Sequence, residues 1–448
     1  MSATIVLALN CGYSSLKFGL YRLEPSLTKS FEQTHDHSSE NQFSDQEPSQ
    51  VTILLSGEVE SIGESAGKFY AKDSRSREVS FENLIGQNLS GTQLITEKTF
   101  FPSHKEAILH IVRLLAESNL PTPNAIGHRV VHGGPGLRQH CLINDTVLQQ
   151  LEAARPFAPL HNQAALSVIK ITKSLFQNLP QMACFDSTFH AEMPEIASTL
   201  PISKVLQSEG IKRYGFHGLS CESIVCNLSV ELQNRFPKRL VIAHLGNGAS
   251  ITAVKEGKSI DTSMGLTPTG GTMMGTRSGD LDPGVLIYLM REKRFDAAML
   301  ESLVDHQSGL LGISRISSDM RYLHEAEKSN PNASLAIRMF CYSVQKQIAA
   351  MISVLNGLDM LIFTGGIGEN DHEVRAEICK SFAWFGISLD ETKNRSIGHA
   401  SNLGHSSNLS NDTSIHDYVS RCAVRVIASN EDEQIARHTL TLLETAFR

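Results

Sequence analysis

Residues 4–21 read TIVLALNCGYSSLKFGLY, and the change of character midway through them decides the fold. Residues 5–9 form an unbroken apolar run, the pattern of a strand covered on both faces. Asn10, Gly12, Ser14, Ser15 and Lys17 then follow, with the bulky Tyr13 among them, before a second strand begins. The same succession of apolar strand, glycine and asparagine turn, serine and second strand returns at 240–254, LVIAHLGNGASITAV. Aligning Ala8 with Ala243 superposes the turns and sets Ser15 on Ser250. One hairpin repeated about halfway along 448 residues implies two lobes of common descent, an arrangement suited to a nucleotide held in the cleft between them.

Such turns suit phosphate for a physical reason. Glycine lets the backbone come close and adopt positive φ, so that successive N–H groups converge on an anion, while serine hydroxyls and asparagine amides add neutral donors. A third glycine cluster, MLIFTGGIGEN at 360–370, follows an apolar strand and precedes a helical pattern from Glu373, which adds a helix N-terminus. A tight hairpin turn alone explains any one of the three, but not three in one chain. No GxxxxGK[ST] is present, which excludes a P-loop, and no GxGxxG follows the first strand, which weakens a dinucleotide fold.

Composition narrows the partners. The chain is 41% hydrophobic and 19% charged, as a soluble enzyme is, and too long for one ordinary core. A net charge of -7 argues against nucleic acid, whose phosphates demand a basic footprint. No apolar run reaches membrane-spanning length and no signal peptide opens the chain, so a cytoplasmic location is expected. The eight cysteines lack a CxxC pair and read as reduced core thiols. Residues 28–50 and 394–416 are polar and read as inserted solvated loops; their irregularly spaced histidines do not suggest a metal site.

The remaining polar clusters fit an anionic acceptor. AIGHRVVHGGPG at 125–136 carries Arg129 within a strand, where a lone charge is costly unless it meets an anion or a carboxylate. MACFDSTFH ends an apolar strand at Asp186, the usual place for a functional carboxylate in an open α/β sheet. RYGFHGLS offers His217, and PTGGTMMGTRSGDLDPG offers Arg277 in a loop too polar for core. His128 and His132 have HxxxH spacing, but the strand-like valines between them and the missing glutamate argue against zinc.

Taken together, these residues resemble the acetokinase family nearly end to end. The resemblance is carried by the turn signature Asn10, Gly12, Ser14, Ser15 and Lys17, and by GHRVVHGG, APLHN (158–162), CFDSTFH, YGFHG, HLGNGAS, MMGTRSGDLDPG, GGIGEN and SNEDEQIA (429–436). It implies an α/β, duplicated two-lobed actin-like ATPase fold with ribonuclease H-like lobes. The N-terminal lobe would be 1–186 plus 431–448, on the acceptor side; the C-terminal lobe, 187–430, would bind nucleotide and form a homodimer interface.

The activity implied is reversible phosphoryl transfer between ATP and acetate, giving ADP and acetyl phosphate, with Mg²⁺ or Mn²⁺. The resemblance associates Asn10 and Glu431 with the metal and Lys17 and Ser15 with ATP. Arg129 would bind the substrate carboxylate, Asp186 would be the essential carboxylate, and His217 and Arg277 would stabilise the transition state. Further nucleotide contacts would be His244, Leu245, Gly246, Asn247 and Gly248, then Asp319, Met320 and Arg321, then Gly366, Ile367, Gly368, Glu369 and Asn370. Val131, Leu160, Phe216 and Pro268 would form an apolar pocket for the acetate methyl.

Chemistry constrains these roles independently. A carboxylate acceptor is already ionised at neutral pH, so Asp186 is better explained as orienting the metal or its water than as a general base. Two departures from the family pattern touch the site: Tyr13 stands where the family has serine, and Cys221 where it has a second histidine. A propionate or butyrate kinase differs by the volume of the acceptor pocket. A non-catalytic ATP-driven switch of the same fold has no reason to hold Arg129, Arg277 and Asp186 together.

Overall fold

The computed structural model describes residues 3–24, 50–64, 66–73, 97–397 and 413–446, with the side chains of 73, 97, 98 and 160 outside that description. The chain divides into two compact units, one of residues 1–185 with 431–448, the other of 186–430. Asp186 falls at the start of the second unit, where its carbonyl accepts a 2.8 Å hydrogen bond from Gly218 N.

The first unit is built on eight strands: β1 (Thr4–Cys11), β2 (Leu16–Leu23), β3 (Val51–Glu60), β4 (Gly67–Asp73), β5 (Glu97–Thr99), β6 (Ala125–Val130), β7 (Cys141–Leu142) and β8 (Gln181–Phe185). Their order is β5-β4-β3-β2-β1-β6-β8-β7, with β1, β6 and β8 parallel. Alternation along β1 divides its side chains between two faces. Leu7 and Leu9 join Leu16, Phe18, Ile108, Ile111 and Val168 in a core shared with helices His104–Glu117 and Pro159–Leu175. Helix Glu431–Ala446 packs on β1, β2, β6 and β8 from the other face. Gly127 lies so close to Thr439 and Ile435 that no Cβ fits between them.

The second unit is built on β9 (Arg239–Leu245), β10 (Ala249–Lys255), β11 (Lys258–Thr262), β12 (Met360–Thr364) and β13 (Ala423–Val426), in the order β11-β10-β9-β12-β13. Helix Gly218–Leu232 supplies Cys221, Ile224 and Leu228 to a core with Leu240, Ile242 and Ile362, and helix Pro331–Leu355 packs on β9 and β10.

The repeated hairpin is visible in both sheets. In each, an antiparallel pair (β1 with β2, β9 with β10) is extended by two parallel strands (β6 and β8, β12 and β13), the duplicated actin-like arrangement. The turns differ in length, however. Four residues separate Cys11 from Leu16, whereas three separate Leu245 from Ala249. Ser15 consequently sits in a turn while Ser250 is a buried strand residue opposite His244, so the two serines are not equivalent.

Most of the polar stretches 28–50 and 394–416 lies outside the described residues. The ends of the second stretch are not solvated loop. Asn394 is a buried member of helix Glu391–Ser396, and Ser414 and His416 form isolated bridges with Arg425 and Leu389.

Candidate active site

In the first unit the site is a row of polar side chains running across the sheet. Lys17 pairs with Asn10 on one side and with Glu58 on the other, while Arg129 follows His128, the register partner of Leu9. These residues face the start of helix Glu431–Ala446. The buried Asn10 amide donates 3.0 Å hydrogen bonds to Glu431 Oε2 and Asp432 Oδ1, and its Oδ1 accepts a 3.1 Å bond from Arg129 Nη1. Strand Arg129 is thus stabilised by an oxygen acceptor backed by two carboxylates.

The electrostatics of this row are closely balanced. Burial raises the Asp432 carboxyl above its ordinary range, opposed by Lys17 and the Asn10 amide. Burial likewise raises Glu58, opposed by Lys17. Lys17 has an open outer face but an ammonium set deep among neighbours. Desolvation alone would lower its pKa, yet Glu58, Asp432 and Glu431 together outweigh it and raise the value. Three carboxylates face two cations, leaving one negative charge in excess, and the oxygen donors are hard ligands of the kind Mg²⁺ selects.

The turn between β1 and β2 is held by its own backbone. Gly12 N donates to Ser15 O at 2.9 Å, Ile62 N donates to Ser14 O at 2.8 Å, and His104 Nε2 lies 3.2 Å from Gly12 O. Tyr13 is 57% exposed at this turn. Beyond β6, Val131 is buried, and the Asn162 amide of the APLHN stretch donates to His132 O at 2.8 Å while accepting from His132 N at 3.2 Å. The HxxxH histidines have separate partners. His128 Nε2 lies 2.9 Å from Gln181 Oε1, and His132 Nδ1 accepts from Gly134 N at 2.8 Å. Leu160 belongs to helix Pro159–Leu175, but its side chain lies outside the described residues.

The second unit gathers the other group. His217 adopts a left-handed conformation, φ 56°, at the head of helix Gly218–Leu232. Such a backbone is unfavourable for a residue with a Cβ, and strain of this kind concentrates at functional sites. The ring stacks on His244 with centroids 4.1 Å apart. His217 Nδ1 lies 3.0 Å from Ser250 Oγ and His244 Nδ1 lies 2.8 Å from Ser220 Oγ, so two serines fix both rings. Arg277 donates through Nη1 to Pro268 O at 3.1 Å, and the buried Phe216 presents its carbonyl to His190 Nε2 at 3.0 Å. A Cβ on Gly248 would stand 3.3 Å from His217 Nε2 and 3.4 Å from Arg277 Nη1. The space above that glycine is where a ring nitrogen and a guanidinium converge.

Residues 365–370 lie beside the same turn. Thr364 is the register partner of His244, which brings the Gly365–Asn370 helical turn beside the turn Gly246, Asn247, Gly248. Gly275 N donates to Asn247 O at 3.0 Å and so ties the Arg277 loop to the same turn. Glu369 Oε1 accepts from Gly365 N at 3.0 Å, and Asn370 Nδ2 donates to Gly366 O at 2.9 Å. Ile367 is half-buried and Gly368 buried. Asp319 caps helix Met320–Ala326 by accepting from Arg321 N at 2.9 Å, and it also pairs with the exposed Arg321 guanidinium. Met320 is buried in the core. Asp186 is buried beside His217, its carbonyl bound to Gly218 N.

Several participants escaped sequence reasoning. Glu58 needed the strand register to reveal it, and Asp432 the contact of its helix with Asn10. Arg375 is wholly buried and donates to the carbonyls of Gly368 and Glu369 at 2.9 Å and to Asn394 Oδ1 at 2.8 Å; burial pulls its pKa down to about 10. Cys221, at the position of the missing histidine, is core-packed with Sγ 3.7 Å from Thr252 Oγ1, so the hydroxyl beside His217 comes from Ser250.

Known proteins match this chain over almost its whole length. The model of the acetokinase family matches residues 5–437. The chain is similar to acetate kinase of Brachyspira hyodysenteriae, 36% identical over 98% of this chain and 99% of the relative, and to acetate kinase of Rhodopseudomonas palustris, 35% identical over 98% of each. Among solved structures it resembles a propionate kinase from Francisella tularensis (33% identity, TM-score 0.79) and the acetate kinase of Porphyromonas gingivalis (31% identity, TM-score 0.75), each over 98% of this chain and all of the other. The polar row under Asn10, the convergence above Gly248 and a match that spans almost the whole sequence lead to one assignment: the chain belongs to the acetokinase family.

Proposed function

We propose that this protein is an acetate kinase, transferring the γ-phosphoryl group of ATP directly and reversibly to acetate to give acetyl phosphate and ADP. The observation that carries the reading is the meeting of His217 Nε2 and Arg277 Nη1 over Gly248. In an in-line transfer an acetate oxygen forms a bond to γ-phosphorus as the bond to the bridging oxygen breaks, and ADP departs with that electron pair. No proton moves, since the acceptor is ionised beforehand. Negative charge spreads over three equatorial oxygens between two anionic reactants, so fixed donors do the catalytic work. His217 and Arg277 are assigned to those oxygens and Arg129 to the acetate carboxylate, while Asp186 would orient the metal or its water.

The phosphate and nucleotide assignments are supported by local chemistry. Lys17, Ser15 and the turn amides of the first unit fit phosphate, and the segments 244–248, 319–321 and 366–370 fit the rest of the nucleotide. Glu431 and Asp432 are the oxygen donors that would hold Mg²⁺, joined by Asn10 once its Oδ1 is released from Arg129; the ion when bound would neutralise phosphate charge. A cytoplasmic home is supported by eight cysteines with no disulfide among them. No helix among the described residues is long and apolar enough to cross a membrane.

Acyl-hydroxamate formation tests the acceptor. Acetate is expected to be preferred over propionate by roughly tenfold or more and butyrate to be poor, since one methylene in an apolar pocket is worth about 1–3 kcal/mol. Equal kcat/KM for acetate and propionate would instead assign the chain to propionate, and no turnover with any acid would leave only an ATP-driven switch.

The two arginines are predicted to separate kinetically. Arg277→Ala should lower kcat far more than it raises KM for acetate, because the charge it meets grows in the transition state, while Arg129→Ala should chiefly raise KM for acetate. Steady-state kinetics on both variants decides it; an unchanged kcat for Arg277→Ala would reduce that residue to substrate binding.

Tyr13 occupies a turn where serine would offer a short hydroxyl. With the ring largely exposed, Ser14, Ser15 and the amides are left to hold phosphate. Losing one neutral donor costs about 1–2 kcal/mol, so Tyr13→Ser should raise kcat/KM by a few fold to about tenfold without altering acid preference. A sharp fall on that substitution would make the phenol an active contact.

A homodimer is also proposed. Helices Pro283–Lys293 and Ala297–His306 bury no residue, yet they carry Val285, Ile287, Tyr288, Met290 and Met299, and helix Pro331–Leu355 exposes Tyr342. An apolar surface of this extent is expected to be covered by a second copy. Sedimentation at micromolar concentration should give a dimer, and a charged substitution such as Ile287→Asp should dissociate it; a monomeric native protein would contradict the assignment.

A further inference from the structure

His324 lies outside every segment assigned above, yet it bridges two of them. It projects from helix Met320–Ala326, whose first turn Asp319 caps. Its Nε2 lies 2.9 Å from Asp371 Oδ2, immediately after Asn370. Its Nδ1 lies 3.3 Å from Glu327 Oε1 and 3.5 Å from Glu373 Oε2. With carboxylates at both nitrogens, the ring satisfies its surroundings only as a doubly protonated donor. Asp371 is itself fixed, because Oδ1 accepts from Glu373 N at 3.1 Å and Val374 N at 3.0 Å while its own N–H donates to Ile367 O at 2.9 Å. Asp371 thus caps helix His372–Lys380 and receives the imidazole through its carboxylate, and closes the Gly365–Asn370 turn through its backbone N–H.

We propose that His324 is a positioning residue that clamps the helix begun at Asp319 to the turn ending at Asn370, and thereby sets the affinity for the adenine nucleotide without taking part in phosphoryl transfer. This rests on reading 319–321 and 366–370 as nucleotide contacts. The bridge is shielded, with side-chain exposures of 21% for His324 and 14% for Asp371, so solvent does not dissolve it. The hydrogen bond to Asp371 lifts the imidazole pKa to about 9, against burial, which lowers it. The charged or titratable groups around the ring are Glu327 on its own segment, Asp371 and Glu373 opposite, Arg375 beside Asp371, and the thiol of Cys341 from helix Pro331–Leu355, which burial keeps neutral. The raised pKa sets the sign. The clamp stabilises the fold fully below about pH 6.5, progressively less above that, and not at all beyond about 9.

The test measures binding of a fluorescent ATP analogue together with steady-state kinetics for wild type, His324→Gln, His324→Ala, and His324→Gln combined with Asp371→Asn. Loss of one shielded charge-assisted contact predicts an increase of about fivefold in Kd and in KM for ATP, with kcat and KM for acetate within about twofold. Adding Asp371→Asn to His324→Gln should weaken binding little further. As pH rises through about 9 the wild-type Kd should approach that of His324→Gln. Unchanged Kd in a His324→Gln variant with native circular dichroism overturns the clamp, as does a loss that falls on kcat and acetate KM instead. Arg321→Ala and Asn370→Ala serve as controls. If neither weakens nucleotide binding, the underlying assignment of these segments fails; if both do and His324→Gln does not, only the clamp fails.

Discussion

The first unit depends on what one amide does at the end of β1. Asn10 is buried, so both ends of its side chain must be satisfied, and it meets that demand by donating to Glu431 and Asp432 while accepting from Arg129. A carboxylate at that position would repel the two acids, and an apolar residue would remove the Oδ1 acceptor that Arg129 uses here. The neutral amide alone reconciles a strand arginine with the acidic head of the last helix. Because Lys17 and Glu58 lie in the same register row, the amide also fixes the setting of the whole polar stripe.

The second unit meets a different constraint, which is room. The His217 ring nitrogen and the Arg277 guanidinium approach over a glycine, and the neighbouring left-handed residue His217 is paid for by packing: a stacked imidazole on one side and a serine on the other. The two halves of the chemistry therefore use the repeated hairpin in contrasting ways. Around β1 and β2 it presents side chains from the strands; around β9 and β10 it presents an open turn. The one-residue difference in loop length accompanies that divergence.

How much of this was legible in the sequence follows the range of the interactions. The hairpins, the glycine turns and the end of β8 at Asp186 are local, and strand and turn chemistry disclosed them. So was the acetokinase resemblance, because its motifs are short and ordered. Glu58 and Asp432 were not, since their relation to Lys17 and Asn10 is set by strand register and by a contact between residues 422 apart in the chain. Arg375 carries no local signal of its place under the Gly368 and Glu369 carbonyls, which only burial in the fold reveals. Asn394 misled for the opposite reason. A polar composition suggested solvent, whereas this amide accepts from Arg375 inside the protein.

The helix of residues 431–446 has a further consequence for how the chain is made. It covers the β1, β6 and β8 face of a unit whose remaining residues all precede 186, while 186–430 form an uninterrupted unit. On the ribosome, the second unit can complete its fold before the first has its closing element. Until the last helix emerges, Val6, Ala8, Gly127 and the charges of Lys17 and Arg129 lack their cover. Completion of the first unit therefore waits on residues 431–446, and Asn10 meets Glu431 and Asp432 only once that helix has docked.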